Sequence, residues 1–138
     1  WIRGENPERD ENLAVITDNF LAWVNAAKPK FLASEKVVYS REHWYAGTLD
    51  FLCEIEGKMY LGDIKTGNGI YKEMHFQTAA YRLALNEMEP NLQVDGSIIV
   101  NATKGGKLNV EEHYDYESAK EGFLACLKLY RLINNGQL

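Results

Sequence analysis

The stretch WYAGTLDFLCEIEGKMYLGDIK, residues Trp44 to Lys65, decides the fold. Two runs rich in aromatic and branched residues, Trp44 to Ile55 and Lys58 to Lys65, are separated only by Glu56-Gly57, the spacing of a two-residue β-hairpin. In such a hairpin Ile55 faces Lys58, and counting back in step sets Asp50 directly across from Asp63. Thr48 then faces Lys65 on the same surface, because side chains two apart on a strand share a face. Two carboxylates and a lysine therefore converge. Like charges directly opposite each other destabilise a strand pair, a cost that a lysine or a bound cation between them relieves. An odd-length loop would shift the pairing by one residue and break this arrangement.

Upstream of the hairpin, Leu13, Val15, Ile16, Phe20, Leu21, Val24 and Ala27 recur at helical spacing, which predicts a helix over Asn12 to Ala27, ending before Pro29. Phe31 to Tyr39, with Val37 and Val38, predicts a strand. Downstream, beyond Gly67 and Gly69, a second helix runs from about Lys72 to Glu87 and stops ahead of Pro90. Val94 to Asn101 is a continuous apolar run suited to a buried strand, and Lys104-Gly105-Gly106-Lys107 turns it into a weaker strand, Leu108 to His113. Asp115 is placed to cap a closing helix. The face of that helix, Ala119, Phe123, Leu124, Leu127, Leu129, Tyr130 and Leu132, is long enough to cover one side of a sheet. The fold class is α/β: a central mixed sheet of about five strands flanked by helices.

At 138 residues, 46% hydrophobic, the chain suits a single domain over 1–138 with a real core. It starts at Trp1 and not at Met, which reads as a piece or mature form of something longer. No apolar stretch approaches the ~20 residues needed to span a bilayer, so the expectation is a cytoplasmic protein with no membrane partner. Cys53 and Cys126 form no CxxC or Cys/His cluster, which argues against a disulfide framework or zinc site. A net charge of -5 counts mildly against nucleic acid, although a metal site concentrates carboxylates and its ions supply positive charge that such a sum omits.

Mg²⁺ prefers oxygen ligands and takes only one or two carboxylates from a protein, a number that Asp50 and Asp63 match. Hydrolysis of a phosphodiester needs an activated water, neutralisation of the charge that builds on phosphorus, and help for the departing oxygen; metal ions with a nearby lysine supply all three. The alternative from the hairpin alone is an ordinary ion-pair cluster on a solvated sheet face.

Three segments carry a resemblance: Tyr45-Ala46-Gly47-Thr48-Leu49-Asp50, then Leu61-Gly62-Asp63-Ile64-Lys65-Thr66-Gly67, then Gln77-Thr78-Ala79-Ala80-Tyr81. Together they resemble the GxxD, DxK and QxxxY signature of RecB-like nucleases in the PD-(D/E)XK superfamily. DxK alone is weak, but three motifs in order on strand, strand and helix are specific. The expected αβββαβ order, with a further strand and a C-terminal helix, is similar to a restriction-endonuclease-like core over nearly the whole chain.

The resemblance implies a DNA nuclease, in the form of an exonuclease acting on DNA ends or single strands of double- or single-stranded DNA, using Mg²⁺ or Mn²⁺. It implies that Asp50 and Asp63 bind metal, that the Ile64 carbonyl adds a ligand, and that Lys65 assists the attacking water. Glu35 joins them by position, 15 residues before Asp50 on the preceding strand, where many relatives carry an acid. Gln77 and Tyr81, four apart on one helix face, would orient substrate or the DNA backbone, the alternative being that Tyr81 packs into the core. Thr66 and Gly67 follow the lysine and would bring backbone amides towards a phosphate.

Many RecB-like nucleases place a histidine ligand on a helix ahead of these motifs, and none stands there here. Either Glu35 suffices or the residue precedes Trp1. His43 comes too late. His75 stands one helical turn from the site face, with a solvated role the simpler reading, and His113 reads as surface. A catalytically silent DNA-binding or assembly module on the same fold is the competing reading; loss of the acids or the lysine would mark it, and all are present. No P-loop, nucleophile elbow or dinucleotide fingerprint occurs.

Overall fold

The hairpin forms with the expected register. β2 (Tyr45–Ile55) and β3 (Lys58–Lys65) pair antiparallel from Ile55↔Lys58 to Phe51↔Gly62. Glu56 and Gly57 both adopt positive φ, 51° and 80°, the backbone of a type I′ turn whose twist matches that of the strands it joins. A computed structural model describes residues 14–103 and 105–135. Asn12, Leu13, Lys104 and Trp1 of the sequence reading lie outside the described residues.

The described elements are α1 (Ala14–Ala27), β1 (Lys30–Ser40), β2, β3, α2 (Glu73–Met88), β4 (Gly96–Ala102), β5 (Leu108–His113) and α3 (Tyr116–Asn134). The five strands make one mixed sheet in sequence order. β3 and β4 are parallel and the other neighbours antiparallel, so α2 is the crossover between two parallel strands. This is the expected α/β architecture, consistent with a restriction-endonuclease-like core. β4 begins at Gly96, two residues later than the apolar run suggested. Val94 is buried before the strand starts, and Asp95 is tied to Met59 by its amide at 2.8 Å and its carboxylate at 2.9 Å.

Alternation along the strands builds two cores, one on each face. On β3, Tyr60 packs with Phe20, Trp23, Phe51, Ile98 and Val100 against α1, whereas the next residue, Leu61, packs with Leu49, Leu52, Ala84 and Leu85 against α2. β2 changes faces part-way. Leu49 belongs to the α2 side and Phe51, two residues on, to the α1 side, so the strand turns over at Asp50. β1 does the same, since Ala33 and Val38 share the α2 side despite their odd separation. Between them Glu35 has φ +49°, and the flanking pairs Ser34↔Phe51 and Lys36↔Leu49 set it opposite Asp50.

Two expectations are corrected. Thr48 does not face Lys65: it pairs with Val37, because the β2–β3 ladder ends at Phe51↔Gly62 and the rest of β3 follows β4, placing Lys65 beside Asn101. α3 does not lie on the sheet as a layer of its own; it packs on α2, buries Ala119, and leaves Leu129 and Tyr130 exposed. Asp115 does cap it, accepting from the Ser118 amide. Cys53 is buried and Cys126 exposed, both free thiols. Among the described residues no helix is long and apolar enough to cross a membrane.

Gly62 is the tightest point of this packing. The Phe51 ring lies across its α-carbon, and a Cβ there would stand 2.0 Å from the ring. Gly62→Ala should therefore destabilise the domain by about 1–3 kcal/mol through overpacking, read as a lower urea midpoint at unchanged slope. An unshifted midpoint would show that the ring can move aside freely.

Candidate active site

Where β2 and β3 part, Asp50 takes over the hydrogen bonding of the ladder. Its Oδ2 accepts the Ile64 amide at 2.7 Å, and its carboxyl lies near enough to that of Asp63 to raise the pKa there. Asp63 is 4% exposed, and Lys65 Nζ stands 3.0 Å from its Oδ2. That ion pair is the contact Oδ2 makes with Lys65, in a pocket otherwise short of donors to it. Burial pushes the Asp63 carboxyl up to about 6, with the Asp50 contact adding to the shift and Lys65 opposing it.

Lys65 is also bound from the helix side. Its Nζ donates to Gln77 Oε1 at 2.7 Å, and Gln77 Nε2 donates to the Tyr81 hydroxyl at 2.8 Å. A chain of contacts thus runs from Asp50 through Asp63, Lys65 and Gln77 to Tyr81. The helical spacing of Gln77 and Tyr81 creates its last step. Tyr81 is half-buried against the Leu49–Leu85 core, so its packing and its polar contact coexist. Desolvation raises its phenol, and the Asp63 and Asp50 charges add to that.

The first glycine of the signature acquires a physical reason here. A Cβ on Gly47 would lie 2.6 Å from the Tyr81 ring, so only glycine lets that ring settle against β2.

The remaining positions are less tightly joined. Glu35 is exposed on edge strand β1 at the level of Asp50, and among the described residues no group of three or more acidic, histidine or cysteine side chains is arranged to hold a metal ion. Its left-handed backbone takes it out of regular strand geometry just where register would bring it to Asp50. Thr66 and Gly67 are exposed, and the Gly67 carbonyl accepts from Asn101 Nδ2 at 3.1 Å. The Ile64 side chain packs into the α1-side core while its amide serves Asp50.

Three features escaped the sequence reading. Asn101 is fully buried beside Lys65 with its Oδ1 unpartnered, and its one signal was a polar residue closing the apolar run of β4. His75 is buried and not solvated: its Nε2 lies 2.7 Å from Glu111 Oε1, and its ring stacks on His113 at 4.1 Å. His113 is accordingly half-buried and not plain surface, and burial together with His75 lowers its pKa. Lys72 gives α2 no capping side-chain hydrogen bond, so the His75–Glu111 contact with β5 anchors the helical turn that presents Gln77.

Two carboxylates, one with a buried oxygen lacking a hydrogen bond, form a donor set of the kind that hard oxygen-seeking cations accept. No protein-family model matches the chain, and no curated protein does. Among solved structures, the crystal structure of SSO0001 is similar to it, with a TM-score of 0.49 and 14% identity. That likeness covers 86% of this chain and 57% of the SSO0001 chain, so the chain spans just over half of that structure's length.

The pKa of Asp63 lies higher in the folded state than the ordinary 3.8. Its charge therefore opposes folding. The penalty is absent below about pH 4, grows as pH rises from 4 to 6, and is complete above that. Asp63→Asn removes the charge and keeps the shape. In EDTA at pH 7.5 the variant should melt several degrees above the parent, for a gain of order 2 kcal/mol, and the difference should vanish by pH 4. A variant that melts lower at pH 7.5 would show that the Lys65 ion pair outweighs burial.

Proposed function

We propose that the chain is a metal-dependent DNA nuclease of the RecB-like PD-(D/E)XK kind, acting as an exonuclease. The observation that carries this reading is the meeting of half-buried Asp50 with buried Asp63 beside Lys65, whose ammonium is held in turn by Gln77. A structural ion pair would balance its charges. This site instead sets two carboxylates against one ammonium, the condition in which a cation is welcome.

In this reading Asp50 and Asp63 hold Mg²⁺ or Mn²⁺, with the Ile64 carbonyl and Glu35 as further donors. When bound, the ion supplies charge neutralisation at the phosphate and lowers the pKa of a coordinated water. The chain's own residues do the rest. Lys65, fixed between Asp63 and Gln77, directs its ammonium at the attacking water and the scissile phosphate, where a preset charge stabilises the transition state without reorganisation. Gln77 limits the lysine's rotamers, and Tyr81 fixes the Gln77 amide by occupying its Nε2. The Thr66 and Gly67 amides face the substrate backbone.

Digestion of end-labelled linear and closed circular DNA with Mg²⁺, Mn²⁺ or EDTA tests the reading. Linear DNA should be degraded with either ion, circles spared, and EDTA should stop the reaction. Lys65→Ala and Asp63→Asn should each lower the rate at least about 100-fold with circular dichroism unchanged. Full activity in either variant refutes the assignment.

A further inference from the structure

The turn joining β1 to β2 presents an unusual surface. Trp44 is 80% exposed, with φ +60°, a backbone region costly for a bulky residue. The turn is nevertheless pinned. Glu87, in the last turn of α2, accepts from the Ser40 hydroxyl and from the Arg41 and Glu42 amides at 3.0 and 3.2 Å, and Arg131 of α3 donates to the Trp44 carbonyl at 2.7 Å. Two helices thus hold in place the backbone from which an indole projects into water.

Beside it lies a groove of about 390 Å³ lined by Tyr39, Arg41, Trp44 and Tyr45, in which the Arg41 guanidinium sits 5.8 Å from the Tyr39 ring centroid. On the other side of the turn a second groove, of about 310 Å³, is lined by His43, Lys128 and Arg131 with three leucines and no acid. Glu42 touches this side only through a 3.7 Å contact to His43. Flat π-faces next to cations are what unpaired bases on a phosphate backbone require, and stacking needs no base sequence because every base has a π-face.

Position links this surface to the acidic pair. β3 runs antiparallel to β2, so Asp63 and Lys65 lie towards the same end of the sheet as the turn. Ala46 and its partner Tyr39 point away from α2 whereas Gly47 meets Tyr81 of α2, so the groove and the acidic pair communicate around that end of the sheet, with Ala46 and Asp50 about 13 Å apart along the strand.

We infer that the Trp44–Tyr39–Arg41 surface is a stacking platform for the bases of single-stranded nucleic acid, which it feeds towards Asp50, Asp63 and Lys65. This deepens the nuclease reading and rests on it. It also removes the tension with the net charge of -5, since stacking and a local basic groove replace a broad basic face.

The test is binding without turnover. Full-length protein in EDTA is titrated with labelled dT12 and with a 12-base-pair duplex, following anisotropy and tryptophan fluorescence. The single strand should bind more tightly than the duplex and quench fluorescence, and most of the quench should disappear in Trp44→Phe. Trp44→Ala and Tyr39→Ala should each weaken dT12 binding roughly tenfold, the loss of one stacked base, with unchanged melting temperature. Equal affinity in Trp44→Ala, preference for duplex, or absence of binding overturns the platform. So does concentration-dependent dimerisation that Trp44→Ala abolishes, because a second copy would then be the occupant. A protein that binds dT12 through Trp44 but never cuts with Mg²⁺ keeps the platform and refutes the nuclease, whereas cutting indifferent to Trp44 does the reverse.

Discussion

The hydrogen bond from the Ile64 amide to Asp50 Oδ2 governs the geometry of everything around it. An antiparallel ladder continued past Phe51↔Gly62 would have carried β3 alongside Thr48 and closed the space between the strands. Because a side chain receives the Ile64 amide, no buried donor is left unsatisfied when β3 leaves β2 and follows β4 in parallel. The same carboxylate is thereby held against Asp63. One contact ends a ladder, opens the sheet and assembles a carboxylate pair, and the turnover of both β1 and β2 at the Glu35–Asp50 level marks the same point on the neighbouring strands.

The helix side depends on the absence of atoms. Gly47 leaves the room in which the Tyr81 ring lies, and Gly62 leaves the room for the Phe51 ring on the opposite face. With Tyr81 seated, Gln77 is held at its hydroxyl and Lys65 at Gln77, so the position of a cationic head group traces back to a missing methyl group on another strand. His75, buried against Glu111 and His113, secures the first turn of the same helix from below. Glycine, tyrosine, glutamine and lysine, distant in sequence, are thus one mechanical unit.

Much of this was legible in the sequence because it rests on short-range rules. Element order, the type I′ turn at Glu56-Gly57 and the meeting of Asp50 with Asp63 follow from alternation and loop length; the pairing of Gln77 with Tyr81 follows from helical spacing. What was not legible depends on side chains replacing backbone partners or on packing between distant elements. The failed Thr48–Lys65 pairing required knowing that Asp50 would end the ladder. The left-handed backbone at Glu35 has no local sequence signal, since glutamate is an ordinary strand-surface residue. The burial of His75 depends on a contact with β5 36 residues away, and α3 settles on α2 because its small Ala119 fits there, which an amphipathic pattern alone does not specify.

Several costs of this structure gather around the acidic pair and the strands beside it. Asp63 is charged at neutral pH in a place that favours its neutral form, Asn101 Oδ1 and Asp63 Oδ2 lack hydrogen bonds, and Glu35 and Trp44 occupy left-handed backbone. Each feature weakens the fold by amounts comparable to a sizeable fraction of a small domain's net stability. The opposite end shows none of this at the Glu56-Gly57 turn, where positive φ falls in a type I′ turn and the adjoining Ile55↔Lys58 pair is regular. The cost around the carboxylate pair, like the exposure of the Trp44 indole, has no value for folding. The two oxygens among these features, Asp63 Oδ2 and Asn101 Oδ1, are both acceptors, so a donor or a cation relieves them and a second anion does not.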